Sequence, residues 1–456
     1  MIRRPAKPTV SALLAGEDPG TLPEDVSKRH APRRPPVPAT HAFEPRVAVS
    51  PRSPAAPDEA RRRAGSAVEV VIVDAAAFAA LAGPWRDLVA DAAEPNVFME
   101  PAVLLAAQAA DPGTPIRVLL AWRPEPSGPE PAGRQLAGAW AFAVVPGALS
   151  RLRAPAAPLA SLASPVIRAD CVEEVLESFL RVLADGPLPK ILELKTMPDE
   201  GPIRDALDRV VARRRCDRVV EERRRRAVLR SSLDGQAYLE LSVSGSRRRK
   251  LRQLRSRLAR QGEVAYRRDT DPRAVAAAVE EFLRLEALGW KGRRGTAIDC
   301  DERLAGFTRA VVAGLAADGL ASVTALTLDG RPVSMGMVLR SGRTACTWKI
   351  AYDEAAASFS PGYLLALEDT AAFLADEALD EVDSCASAEF GIMAEVWRER
   401  KAVADVYLDV RAGPSPRFRA MMLLLAVKEF LPRLRRRLRA REQLRRLYYK
   451  IRRRRP

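Results

Sequence analysis

Side chains able to move a proton or hold an anion gather in the second half of the chain. Glu286 precedes the Gly-Trp turn of LEALGWKGRRGTA, Asp353 follows the run TACTWKIAYD, and Asp383 lies within EVDSCAS. Each is a candidate general base, because without histidine the removal of a proton near neutral pH falls to Asp, Glu or water. Each also has a purely structural reading: Glu286 pairs with Arg284 or Lys291, Asp353 holds a turn, Asp383 caps a strand end. Lys291 and Lys349 are candidate substrate contacts that would neutralise a carboxylate or phosphate; Lys349 is alternatively a solvated strand-face lysine. Trp290 and Trp397 either wall a substrate pocket or pack a core. Cys385 has no visible base beside it, so a small buried thiol is the simpler reading.

A second constellation is Ser360, Pro361, Gly362, Tyr363 and Leu364. Proline at a first helical position with serine before it marks the start of SPGYLLALEDTAAFLAD, with Ser360 as N-cap. The free N–H groups and dipole of such a helix start attract phosphate, and Gly362 lets the backbone come close. Three alternating runs deliver the chain there. SVTALTLD and PVSMGMVLR flank Asp329-Gly330, a hairpin signal, and TACTWKIAYD follows across Ser341-Gly342. A short strand in EVDSCAS, a helix in FGIMAEVWRER and a strand in VADVYLDV close the unit.

The wider composition narrows the chemistry. Of 456 residues only two are histidine, His30 and His41, both in the Pro/Ala/Arg-rich amino-terminal stretch. If that stretch is disordered, the folded body has no histidine, which excludes Ser-His-Asp and Cys-His catalysis and histidine metal sites. Five scattered cysteines without a CxxC pair fit reduced thiols, not a disulfide framework, and no metal is expected. The net charge of +16 is concentrated at the ends: residues 431–456 hold thirteen Arg/Lys against Glu442, and residues 1–65 carry twelve basic and seven acidic groups. The body between is close to neutral. No signal-peptide pattern is present, and MMLLLAV (421–427) is far short of the ~20 residues that span a bilayer. A cytoplasmic location is the expectation.

The first half repeats the order of the second. A strand and helices lead to the strand pair IRVLLAWRP and QLAGAWAFAVV. The helix CVEEVLESFLRVLADG, the strand KILELKTM, the helix GPIRDALDRVVARR and the strand RRRAVLR then follow. The expected organisation is a disordered tail over 1–65, an α+β unit over 66–232, a second over 233–412 and a basic amphipathic helical tail over 413–456.

The ordered set RRRKLRQLRSRLARQGEV, LEALGWKGRRGTA, DGRPVSMGMVL, YDE…SPGYLL and DSCA…MAEVWRER resembles the GNAT acyltransferase fold over about residues 244–411. More closely it is similar to the GNAT-type acetyltransferases of cellulose and exopolysaccharide biosynthesis clusters (the CelD/BcsL-type group), and more distantly to the tandem-GNAT Fem aminoacyl transferases. The resemblance implies an α+β, tandem GNAT-like architecture of mixed sheets flanked by helices, the first half being a degenerate repeat. It implies acetyl-CoA or another acyl-CoA as donor, with its pyrophosphate at Ser360–Leu364. It further implies direct acyl transfer to a hydroxyl or amine of a polysaccharide precursor or related metabolite, with Tyr363 either protonating the departing thiolate or packing. A Fem-like member would use aminoacyl-tRNA, contacted by the Arg-rich helix 247–260, and a non-catalytic accessory role in a synthase complex is the third alternative.

The carboxy-terminal tail pairs a short apolar part with Arg clusters and Tyr448 and Tyr449, a pattern suited to an anionic membrane surface at the inner face. Nucleic acid or another polyanion is the second reading of the same residues, and a passive tail is the third.

Overall fold

A computed structural model describes residues 68–124, 133–155 and 159–427. The tail expected over 1–65 and the last part of the basic tail, 428–456, lie outside the described residues.

In chain order the first half holds β1 (Glu69–Val73), α1 (Ala75–Ala79), α2 (Ala82–Ala90), α3 (Pro101–Ala110), β2 (Ile116–Pro124), β3 (Arg134–Val145), β4 (Arg151–Arg153) and β5 (Val166–Ile167). It continues through α4 (Val172–Asp185), β6 (Ile191–Pro198), α5 (Pro202–Arg214) and β7 (Cys216–Leu229). Two helices follow, α6 (Gly235–Ser242) and α7 (Gly245–Leu258). The second half has β8 (Val264–Asp269), α8 (Pro272–Leu288), α9 (Trp290–Arg293), α10 (Glu302–Ala317), β9 (Ala321–Leu328), β10 (Arg331–Ser341) and β11 (Thr344–Tyr352). It ends with α11 (Pro361–Leu374), β12 (Glu381–Ser387), α12 (Ile392–Val396) and β13 (Glu399–Ala412). A helix over 416–427, α13, comes last.

All the strands belong to one mixed sheet in the order β1-β2-β3-β4-β6-β13-β7-β12-β11-β10-β9-β8, with β5 pairing β3 off that path. The order is nearly symmetric about its middle. In each half four antiparallel strands, β1 to β4 and β8 to β11, are followed by a parallel step, β4 to β6 and β11 to β12. Each half then gives its last strand to the other: β13 lies between β6 and β7, and β7 pairs β12. The architecture is thus α+β and tandem GNAT-like, as the resemblance implies, with the two repeats interlocked.

Alternation along the strands divides the core. Val118 and Leu120 of β2 face one side with Met335 and Met337 of β10, beneath α1, α2, α3, α8 and α10, so both halves share one apolar core on that face. Leu119 and Ala121 point the other way, toward α4 and α5. The reverse face of the second half packs against α6, α7, α11 and α12. The two halves touch closely: a Cβ added at Gly314 of α10 would lie 2.8 Å from Ala102 Cβ of α3.

Several local expectations hold and several are corrected. Asp329 and Gly330 both have positive φ, 49° and 77°, the conformation a two-residue hairpin loop needs. Leu251, Leu254 and Leu258 are the buried face of α7. The strand expected at RRRAVLR instead begins at Cys216. Its outer part, DRVVEERRRR, is exposed or half-buried up to the buried Arg226 and shows no apolar alternation, yet it pairs with β13 through two register shifts. The helix expected across FGIMAEVWRER ends at Val396, because Trp397 turns extended to enter β13.

Candidate functional site

β11 and β12 pair only over Thr344–Cys346 and Glu381–Asp383 and then part. Diverging parallel strands leave facing N–H and C=O groups unpaired by the ladder, a place where an extended ligand can bind as a surrogate strand. Two irregularities shape this opening. The β10–β11 register slips between Met337 and Val338, so Trp348 is the extra residue of a bulge. On β12, Cys385 takes φ 53°, and Thr196 on β6 takes φ 60° at the matching place in the first half. The first half closes one side of the opening. Trp348 Nε1 donates to Leu159 O at 3.0 Å.

Three of the expected site residues meet beside this opening. Glu286, at the end of α8, accepts from Lys291 Nζ at 2.7 Å and from Ile298 N at 2.8 Å. Lys349, opposite Met337, is 7% exposed and lines the same pocket as Glu286, Lys291, Thr296 and Leu159. Burial, and then the neighbouring Lys291, pull the Lys349 ammonium down to about 8, while Glu286 acts in the opposite sense. Lys349 is therefore not the solvated strand-face lysine of the alternative reading. Two lysines and one carboxylate thus line this buried pocket, a set suited to developing negative charge. The cavity is about 10 Å³, room for about one water.

The turn into α11 is built differently from the expected N-cap. Asp353 accepts from Ala355 N and opens a 3-10 helix, Glu354–Phe359. That helix delivers Ser360 in the left-handed region, φ 52°, where its side chain makes no capping hydrogen bond. Its carbonyl instead accepts from Tyr363 N and Leu364 N, at 3.0 and 3.2 Å. Gly362 is buried, and a Cβ there would lie 3.1 Å from Ile392 Cδ1. Tyr363 stacks beneath the Arg247 guanidinium, 4.4 Å to the ring centre, beside a cavity of about 230 Å³ lined by Ser242, Ser244, Arg247, Leu251 and Glu395.

The remaining expected residues lie apart from the lysine pocket or are engaged elsewhere. Asp383 accepts from Cys385 N at 2.7 Å and pairs with the buried Arg226 of β7 at 3.3 Å. Trp290 is next to the pocket by sequence; its N–H donates to Glu354, and Arg294 lies over its ring at 5.0 Å. Trp397 is 1% exposed in the core under α11, with Nε1 donating to Thr370 Oγ1 at 2.9 Å. Sequence reasoning overlooked Leu159, Trp348 and Arg226. The first two carried no signal, and Arg226 was hidden in an arginine run. Among the described residues no group of three or more His, Cys, Asp or Glu is arranged to hold a metal ion.

Residues 245–390 match the family described as "Acetyltransferase (GNAT) domain". The second half thus carries a GNAT acetyltransferase domain, and the class of activity it supports is acyl transfer. No curated protein matches the chain in sequence. Among solved structures the chain is similar to a crystal structure of FemX, with 10% identity, TM-score 0.48, and coverage of 75% of this chain and 96% of that one. It is similar to a tandem GNAT protein from the clavulanic acid biosynthesis pathway, with 16% identity, TM-score 0.39, and coverage of 76% and 99%. A third is the C-terminal domain of a putative lysylphosphatidylglycerol synthetase from Agrobacterium fabrum, with 11% identity, TM-score 0.43, and coverage of 75% and 93%.

Proposed function

We propose that the second half transfers an acyl group, acetyl in the simplest case, from an acyl-CoA to a hydroxyl or amine. A polysaccharide precursor or related metabolite is the acceptor class that the sequence resemblance suggests. The observation that carries the reading is the convergence of Glu286, Lys291 and Lys349 in one buried pocket beside the parting of β11 and β12. In this reading the donor enters between the two strands, with its phosphates toward Ser360, Pro361, Gly362, Tyr363 and Leu364. The acceptor approaches from the lysine side, flanked by Trp290.

The acceptor oxygen or nitrogen attacks the thioester carbonyl, and the carbonyl oxygen takes up negative charge. Lys349 faces that charge as an ammonium, and Lys291 holds the Glu286 carboxylate in place through its hydrogen bond. Glu286 accepts the acceptor's proton as the new bond forms; collapse breaks the C–S bond and releases CoA as thiolate, which Tyr363 or water protonates. Asp383 and Asp353 serve in this scheme as positioning groups, through Arg226 and the α11 turn. Trp397 supports α11 from its core.

The aminoacyl-tRNA alternative draws less support. Arg247, Arg248 and Arg255 of α7, which would meet the tRNA, are paired with Glu395, Glu240 and Glu368. Isothermal titration separates the readings: heat of binding with acetyl-CoA favours the first, and its absence, with protection of α7 by aminoacyl-tRNA, favours the second.

A further inference from the structure

The helix α13 is apolar on two sides. Phe418 and Met421, each 2% exposed, anchor it on Ile191 and Tyr407 of the sheet, with Met422 and Leu425 packed alongside. Those positions recur at three and four residues and account for one face. The opposite side carries Leu423, Leu424 and Val427, which are 66%, 54% and 45% exposed. A surface helix of a soluble body normally has one apolar stripe; a second stripe marks a helix covered twice.

The chain that follows says what covers it. Beyond Val427 the sequence carries further leucines, Leu431, Leu434 and Leu438, on either side of Pro432. Arginines crowd between and after them, and residues 431–456 hold thirteen Arg/Lys against Glu442. Nucleic acid would use the charge and leave the leucines in water. A second protein would need a groove both apolar and strongly acidic. The interface of an anionic bilayer takes both, apolar side chains at the acyl boundary and arginines at the headgroups. No helix among the described residues is long and apolar enough to cross a membrane.

We propose that α13 docks the protein peripherally on an anionic phospholipid surface, with Leu423, Leu424 and Val427 as the inserted side chains. Because Phe418 and Met421 hold α13 to the sheet, docking would fix the orientation of the enzyme body on that surface. This claim is independent of the acyl-transfer reading and survives or fails without it.

The test is co-sedimentation of the full chain with vesicles of phosphatidylglycerol and phosphatidylcholine, against phosphatidylcholine alone. It is repeated for L423S/L424S/V427S, whose side chains lie outside the core; its thermal melt should match the parent's. The expected result is binding to the anionic vesicles only, weakened on the order of tenfold or more in the triple variant. Equal binding of parent and variant would overturn the proposal, as would equal affinity for the two vesicle types. So would light scattering showing a dimer that the triple substitution abolishes, or tight binding of a 30-mer RNA with no anionic-vesicle binding.

Discussion

Lys349 and Glu286 are separated by more than sixty residues in sequence, and the fold lays them in one pocket with Lys291 between the same walls. Their proposed roles differ, so their substitutions should differ. Glu286→Gln removes the proton acceptor and should lower kcat by on the order of 10² or more, with little change in donor affinity. Lys349→Met should lower kcat comparably, and Lys349→Arg should recover part of the loss. The ammonium is held at about 8 mainly by burial, so its charge is present below that pH and lost above it. Activity that depends on the charged form should fall as pH rises through about 8, and Lys349→Arg should carry the plateau to higher pH. A parent profile still rising above that pH would mean that the neutral amine is the working form. At this scale the sequence was readable where residues are local. Glu286 and Lys291 lie five apart at a helix end, and their pairing was one of two readings. It was silent where the fold brings distant pieces together. Nothing near Leu159 points to a wall of the second half's opening, yet Leu159 O receives Trp348 Nε1.

Among the elements, α11 couples the donor turn to the sheet through a buried acid. Asp369, 3% exposed, accepts from Tyr266 Oη on β8 at 3.0 Å and from Thr324 Oγ1 on β9 at 3.2 Å. Burial raises its carboxyl from 3.8 to about 7, above its value in the unfolded chain. The protonated form is therefore favoured by folding, and its contribution is whole below the unfolded pKa and lost as pH rises through about 7. Asp369→Asn should flatten this loss, so the variant gains on the parent in melting experiments between pH 5 and 8, by on the order of 2 kcal/mol. A pH slope identical in parent and variant would refute the assignment. The Asp329-Gly330 hairpin and the start of α11 were readable because turn chemistry and helix punctuation are local. The unusual Ser360 backbone was not, since Ser-Pro-Gly reads as an ordinary cap whether serine is extended or left-handed.

The whole molecule is held together by the exchange of terminal strands and by the core the halves share. β13 pairs β6 on one side and β7 on the other, and β7 is also the partner of β12. Residues 233–412 made alone would leave β13 without either neighbour and β12 with an open edge. That fragment should aggregate or lack a cooperative melt, and supplying residues 66–232 in trans should restore both. A stable monomer of the second half alone would contradict this. The repeated order of elements was visible in sequence, because helices and strands alternate alike in both halves. The interlocking was not, because the order of elements does not say which repeat a terminal strand joins, and the arginine run of β7 masks its alternation.

Donor binding at the start of α11 underlies the proposed acyl transfer. Isothermal titration of acetyl-CoA into the full chain, beside Ser360→Asp, examines it most directly. Aspartate suits a helix start and should preserve the fold while placing a charge against the donor's phosphates. The prediction is measurable binding by the parent, weakened about tenfold or more in the variant. No binding by the parent, or equal binding by both, would contradict it.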